Sequence, residues 1–410
     1  MALNYVWLAF FLISFIVAAF KTFFLGDTVV FGQVMNGMMS SAKTGAEISI
    51  GLIGVMTFWL GIMRVGEAGG MIARFSRLVN PFFSKLFPQI PKGHPAMGSM
   101  LMNFSASALG MDNAATPMGL KAMKELQELN PHPEEASNSQ IMFLVLNTAG
   151  VVLIPTSVIA LRMSAGAANP ADVFIPILIS TFIAFIAGMF TVAIYQRINL
   201  FKLPVLVFLG CFALLVTGLY YWVKSMPPDQ IGPKTASLGG GIIFAIVVIF
   251  LGSGIIKKIN VYDVFIEGAK EGFNISVRII PYLVGILVAI SAFRATGCMD
   301  YLVNGLKIFF GWLGLNTDFV PALPVAFMKP LSGGGSRALM VEIMTREKPD
   351  SFVGRLVSII QGTTETTFYI LAVYFGSVNI KKTRYALAAG LIADFFGIVS
   401  AILLGYLFFH

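Results

Sequence analysis

Charge is what this sequence has least of. Only 12% of its 410 residues are Asp, Glu, Lys or Arg, against about 25% in a soluble domain. A water-soluble surface of the size this length demands cannot be built from so few charges. Cysteine is confined to Cys211 and Cys298, both in or beside apolar runs, which excludes a disulfide framework and a thiolate metal site. The three histidines, His94, His132 and His410, are scattered and form no metal or catalytic cluster. There is no Ser/His/Asp set and no pair of carboxylates beside a histidine. The expectation is therefore a chain that is not an enzyme and needs no cofactor or metal. A basic n-region is also missing before the first apolar run, so residues 6–20 read as a first membrane helix rather than a cleaved signal.

What is present is apolar. Hydrophobic residues make up 57% of the chain, and the mean hydropathy is +0.83. A membrane-crossing helix needs roughly 20 such residues, and nine stretches qualify: 4–24, 46–64, 140–161, 173–195, 204–223, 239–256, 276–293, 354–375 and 385–408. The net charge of +8 sits mostly at the ends of these runs, which fits membrane anchoring rather than nucleic-acid binding. The predicted partners are the lipid bilayer and a small-molecule or ion substrate, with homo-oligomerisation left open and no nucleic acid. The predicted fold is an all-α integral membrane protein of about nine transmembrane helices plus two broken or re-entrant segments.

Those two segments are 98–123, interrupted at Gly110-Met111-Asp112-Asn113 and again at Pro117-Met118-Gly119, and 319–344, interrupted over Lys329 to Arg337. Unpaired backbone in hydrocarbon costs several kcal/mol per group, so each break must be buried in protein or line a cavity. A period of roughly 220 residues relates them. Ala42-Lys43-Thr44-Gly45 recurs as Ala269-Lys270-Glu271-Gly272, and Gly70 is matched by Gly297. The run at 204–223 has no partner in the first half, an odd count that turns the second copy upside down. Inverted repeats with paired broken helices are a transporter design in which the solute sits at their interface.

Three polar constellations interrupt the apolar background. The first is Asn103, Ser105, Ser107, Asp112, Asn113 and Thr116, a solute or ion site or a set of caps on two half-helices. The second is Ser332, Gly333, Gly334, Gly335, Ser336 and Arg337, with Glu342 beyond, an anion-binding nest or a plain tight turn. The third is Gln361, Gly362, Thr363, Thr364, Glu365, Thr366 and Thr367. On a continuous helix Gln361, Thr364 and Glu365 would share one side and the other threonines the opposite one. Glu365 stands out as a carboxylate flanked by apolar helix with no adjacent base. The equivalent place in the first half is Asn147-Thr148-Ala149-Gly150, followed by Pro155-Thr156-Ser157, and Asp394 is a further ionisable candidate. A coupling ion, H⁺ or Na⁺, is the one ligand beyond solute that these residues suggest.

Residues Asn113 to Met123 resemble spore maturation protein A. The run Gly362 to Tyr369, with Lys329-Pro330-Leu331-Ser332-Gly333-Gly334-Gly335-Ser336 and Tyr374-Phe375-Gly376-Ser377-Val378, resembles spore maturation protein B. The chain thus resembles a fusion, with residues 1–200 as an A-like half and 201–410 as a B-like half. Both are identified as members of the nucleoside-recognition or Gate group, which also includes concentrative nucleoside transporters and the membrane part of bacterial ferrous-iron transport protein B. The resemblance implies a multi-pass protein of the bacterial inner membrane with a transport-like role, tied in spore formers to core dehydration. It specifies no nucleoside. The reading that follows is an ion-coupled secondary carrier of a small polar or anionic organic solute bound between the repeats. The alternatives are a non-transporting scaffold of the envelope or of spore maturation, or a passive channel.

Overall fold

The computed structural model describes residues 2–410, with the side chains of Ala2, Leu3, Asp112, Asn113, Val223, Lys224, Pro228, Asp229, Ile231, Gly232 and Arg278 outside the description. The chain folds as helices: α1 (Ala2–Leu25), α2 (Val30–Ala68), α3 (Met71–Leu86), α4 (Pro95–Ala108), α5 (Asp112–Glu128), α6 (Asn138–Thr148), α7 (Thr156–Ser164), α8 (Phe174–Gln196), α9 (Leu203–Lys224), α10 (Pro228–Ile256), α11 (Val261–Ala295), α12 (Cys298–Trp312), α13 (Leu323–Met328) behind a short 3-10 turn, α14 (Gly333–Glu347), α15 (Phe352–Thr363), α16 (Thr367–Gly376) and α17 (Ala386–Phe409). Among the described residues eight helical stretches are long and apolar enough to cross a membrane, counting α15 and α16 as one. This is an all-α multi-pass membrane protein.

The order of elements repeats. The series α2, α3, hairpin α4–α5, interrupted α6–α7, α8 recurs as α11, α12, hairpin α13–α14, interrupted α15–α16, α17. The two copies also run in opposite directions. In the α2–α11 pair, Gly37 packs against Ser291, Gly45 against Val284 and Leu287, and Gly61 against Phe265. In the α8–α17 pair, Gly188 packs against Ala393 and Gly397 against Ala184. Equivalent helices that meet antiparallel are what an inverted repeat requires.

Local chemistry accounts for the corners. Gly70 and Gly297, between long helix and short helix in each copy, hold φ of 78° and 82°, a left-handed conformation that costs other residues roughly 1–2 kcal/mol. Both glycines reverse the chain into a shorter helix. In α3 Ile72, Val79, Phe82, Phe83 and Leu86 are buried while Arg74 and Arg77 are exposed, the division of a helix lying along a membrane interface. Ser137 caps α6 in a reciprocal pair with Gln140, and Ser351 caps α15.

Helices attract weakly in lipid unless small residues let backbones approach. Gly268 and Gly272, one turn apart on α11, lie so near α2 that a Cβ on either would fall 2.3 Å from the Leu60 carbonyl oxygen or 2.5 Å from that of Met56. This brings the two longest helices, 39 and 35 residues, into direct backbone contact.

Four expectations need correction. Residues 140–161 are not one span: α6 and α7 are separated by irregular backbone at 149–155, where Gly150 and Pro155 interrupt an apolar run. Pro117-Met118-Gly119 does not break α5, because Pro117 falls in its early turns, where little helical bonding is lost. Gly333, Gly334 and Gly335 form no turn but open α14, whose first turn Ser332 caps by accepting from the Gly335 amide at 3.0 Å. The apolar runs at 46–64 and 276–293 are parts of α2 and α11, which extend well past them through polar turns.

Candidate functional site

Both interrupted helices break at the centre of the molecule, and the breaks touch. The Glu365 amide donates to the Thr148 carbonyl at 2.8 Å. Each hairpin tip is tied to the break of its own copy: the Leu153 amide donates to Ala108 O at 2.8 Å, and the Phe368 amide to Pro330 O at 3.0 Å. The repeat therefore extends to individual backbone bonds. It also satisfies amides that would otherwise be orphaned at membrane depth.

The break in the second copy is wider chemically than a helical projection allows. Residues 364–366 are not helical, so Gln361, Thr364 and Glu365 do not share a helix side. Thr363, the last residue of α15, bonds inward to Ile359 O at 2.7 Å and to the Ser180 hydroxyl at 2.8 Å. Thr366 opens α16. Lys329 is 4% exposed and reaches across to donate to Gln361 O at 2.7 Å, covering a carbonyl in the last turn of α15.

A cavity of about 320 Å³ opens at this junction. Its polar wall comes from Ser107 and Thr116 of the first hairpin, Asn147, Thr156 and Ser157 of the first break, and Arg337, Glu365 and Tyr374 of the second copy. Its apolar wall comes from the crossed helices, with Leu52, Met56 and Trp59 on α2 and Ile275, Ile279 and Leu283 on α11. A narrow recess continues it past Thr364, Gln361 and Lys329. The volume lies at the lower end of the roughly 300–1,000 Å³ usual for small-ligand pockets.

Several polar atoms around this junction are buried and lack any hydrogen-bond partner: Asn103 Oδ1, Ser105 Oγ, Thr148 Oγ1, Gln361 Oε1, Arg337 Nε and Asp394 Oδ1. Each such atom ordinarily costs about 1–3 kcal/mol, and their concentration where the helices break singles this junction out as the candidate site. Arg337 and Glu365, both half-buried, have no ion-pair partner within 4.0 Å among the described residues. Glu342, by contrast, is engaged by Arg294 at 2.8 Å.

Of the residues singled out from sequence, Thr116, Asn147, Arg337 and Glu365 line the cavity, and Gln361 and Thr364 line its recess. Asn103 stands behind the wall, donating to Ala115 O at 2.8 Å and to the Tyr374 hydroxyl at 3.1 Å. Ser105 and Thr148 are fully buried nearby. Ser332 and Ser336 are spent on α14 itself, Ser336 donating to Gly333 O at 3.1 Å. Gly334 is exposed, Thr363 turns back to the Ile359 carbonyl, and Thr366 makes no side-chain cap bond, its Oγ1 facing Gly333. The side chains of Asp112 and Asn113 lie outside the described residues. Sequence reasoning missed Tyr374 and Trp59, which look like ordinary aromatic filling in apolar helices. It used Lys329 to mark the second break and in a resemblance but not as a site residue, although a lysine amid apolar helix is itself a signal.

Asp394 of α17 adjoins the second break. It is 2% exposed, and its Oδ2 accepts from the Thr367 hydroxyl at 2.5 Å. Among the described residues no group of three or more His, Cys, Asp or Glu side chains stands together as a metal site.

The chain has relatives consistent with this double architecture. Spore maturation protein A of Bacillus subtilis (strain 168) is 45% identical over 157 residues, covering 38% of this chain and 80% of that protein. Spore maturation protein B of the same organism is 46% identical over 156 residues, covering 38% of this chain and 86% of that protein. The sequence pattern of the Gate family, described as nucleoside recognition, matches residues 49–223 and 276–381, so that it falls once on each copy of the repeat. This chain is a multi-pass membrane protein of the nucleoside-recognition (Gate) family.

Proposed function

We propose that the protein is a secondary carrier of the bacterial inner membrane that binds a small polar organic solute between its two inverted copies. Residues 1–200 act as the spore maturation protein A-like half and residues 201–410 as the B-like half. The observation that carries this reading is the cavity where the two breaks meet, with Glu365 and Arg337 lacking ion-pair partners among the described residues and with several unsatisfied polar atoms around it. A scaffold has no use for such a cavity. Its own side chains could have filled and satisfied it. Asp394, buried beside the Thr367 and Thr364 hydroxyls with Lys329 near enough to act on it, supports coupling to H⁺ or Na⁺, as a carboxylate held at membrane depth.

The test needs no knowledge of the solute. With Cys211 and Cys298 replaced, Thr156→Cys on the cavity wall is exposed to a membrane-impermeant thiol reagent in right-side-out and inside-out vesicles. A carrier exposes its site alternately, so labelling proceeds from both faces and no steady ion conductance accompanies it. Labelling from neither face would sink the carrier reading in favour of a scaffold, and steady conductance would make it a channel. Glu365→Gln, in folded protein, is expected to abolish or uncouple uptake.

A further inference from the structure

Two opposite charges line the same cavity, and neither has an ion-pair partner among the described residues. Arg337 and Glu365 both border the main chamber and its recess. They come from different elements, the second turn of α14 and the break between α15 and α16. No ion pair joins them to each other or to another described side chain within 4.0 Å, and Arg337 Nε is buried without a partner. Lys329, which lines the recess with Glu365, donates to Gln361 O.

An uncompensated charge in a site of low dielectric is expensive. The two charges therefore set conditions on a ligand. A neutral solute leaves both unpaired. A monoanion satisfies Arg337 and leaves Glu365, and a monocation does the reverse. Only a molecule carrying both signs compensates both. The rest of the chamber adds a second condition, because Met56, Trp59, Ile279 and Leu283 also line it, which favours an apolar body.

Resting on the carrier reading above, we propose that the solute is a small zwitterion with a bulky apolar or aromatic body, of the chemical class of the hydrophobic α-amino acids. Its ammonium group faces Glu365, its carboxylate faces Arg337, and its body lies against α2 and α11. The site discriminates by leaving its own charges unpaired when the wrong molecule enters.

The experiment is calorimetric titration of the full chain in lipid nanodiscs with five probes: L-phenylalanine, L-leucine, 2-phenylethylamine, 3-phenylpropionate and uridine. At least one of the two amino acids is expected to bind, and the singly charged analogues and uridine about tenfold or more weakly, which is about 1.4 kcal/mol or more. Glu365→Gln should bring L-phenylalanine down to the level of 3-phenylpropionate. Arg337→Gln should bring it down to the level of 2-phenylethylamine. Glu365→Asp and Arg337→Lys, which keep the charges, should retain the preference and show that the site remains folded. Binding of uridine or a singly charged probe as tightly as the amino acids would overturn the proposal. So would failure of both amino acids to bind, or a preference unchanged in both neutral variants. Thiol accessibility of Thr156→Cys is read without any solute. Two-faced labelling with a failed titration discards the substrate class alone, whereas absent labelling discards the carrier.

Discussion

Arg162, in the first copy, reaches Asp350 of the second at 3.1 Å and is itself fully buried. The same guanidinium holds Asp172 at 2.9 Å, and Arg355 holds the other oxygen of Asp172 at 2.7 Å. This cluster joins the α7–α8 loop to the α14–α15 loop. The inverted counterpart joins the α16–α17 loop to the α5–α6 loop, and there the Lys381 and Lys382 amides donate to Glu134 O at 2.9 and 3.0 Å while Lys381 pairs with the Glu134 carboxylate at 2.6 Å. One end of the molecule is thus clasped by buried charges and the other by exposed ones.

Arg162→Met strands one oxygen of the buried Asp172 carboxylate, with Arg355 alone on the other, and removes the donor to the Pro170 and Pro349 carbonyls. The expected loss is on the order of 3–5 kcal/mol, seen as a large fall in melting temperature of the detergent-purified protein. Adding Asp172→Asn in the same chain should recover part of it, since the stranded charge is then removed.

The exposed clasp should respond to conditions that leave the buried one unaffected. The Lys381 ammonium beside Glu134 holds that carboxyl below its ordinary value. A lowered folded value means the contribution is full above the usual carboxylate range and fades as pH falls through the lowered one. Hydrogen exchange at 377–385, corrected for its intrinsic rate, is therefore expected to rise at acid pH, and to rise with salt at neutral pH. Raising the salt should leave 165–173 unchanged. Lys381→Gln should remove both responses.

Helix α17 closes over both breaks through two glycines. A Cβ at Gly390 would lie 2.8 Å from Thr367 Cγ2 and 3.5 Å from Thr148 Cγ2, and one at Gly397 would lie 2.6 Å from Thr363 Cγ2. Gly390→Leu and Gly397→Leu are each expected to destabilise by about 1–3 kcal/mol through overpacking. Gly218→Leu on α9, where nothing lies within 4 Å, should leave the melting temperature unchanged.

Gly268→Ile and Gly272→Ile drive branched side chains into the α2 backbone at Leu60 and Met56. Each should separate the crossed pair and lower stability by more than the α17 substitutions, because a carbonyl cannot turn aside as a methyl can. The melting temperatures of the four variants, compared in one detergent, give the ranking.

Much of this plan is visible in the sequence, because apolar runs and their interruptions are local. The hairpin breaks at Gly110 and Lys329 are read from glycine, proline and charge within otherwise apolar stretches, and Gly70 and Gly297 announce equivalent corners. The break at 149–155 is harder, since Val151, Val152, Leu153 and Ile154 keep the hydropathy of a span while the backbone leaves the helix. The polar starts of α2 and α11 look like span ends because exposed turns and interfacial turns share a composition. The clasps are not legible at all, as Arg162 and Asp350, or Glu134 and Lys381, are joined only by the tertiary fold. Of the site, Glu365 is evident as a carboxylate without an adjacent base, and Arg337 as the charge that follows the glycine run. Tyr374 is not, because an aromatic residue in an apolar helix gives no sign of which way it faces.

The crossed pair α2–α11 has a further consequence. At about 1.5 Å per residue, the 39 residues of α2 extend about 58 Å, nearly twice the roughly 30 Å of hydrocarbon in a bilayer. Such a helix must lean far from the membrane normal or carry its polar turns well out into water. Lean and protrusion both change with acyl-chain length, and mismatch costs fractions of a kcal/mol per Å. The same two helices supply Leu52, Met56, Ile279 and Leu283 to the cavity. Membrane thickness is thereby linked mechanically to the shape of that cavity.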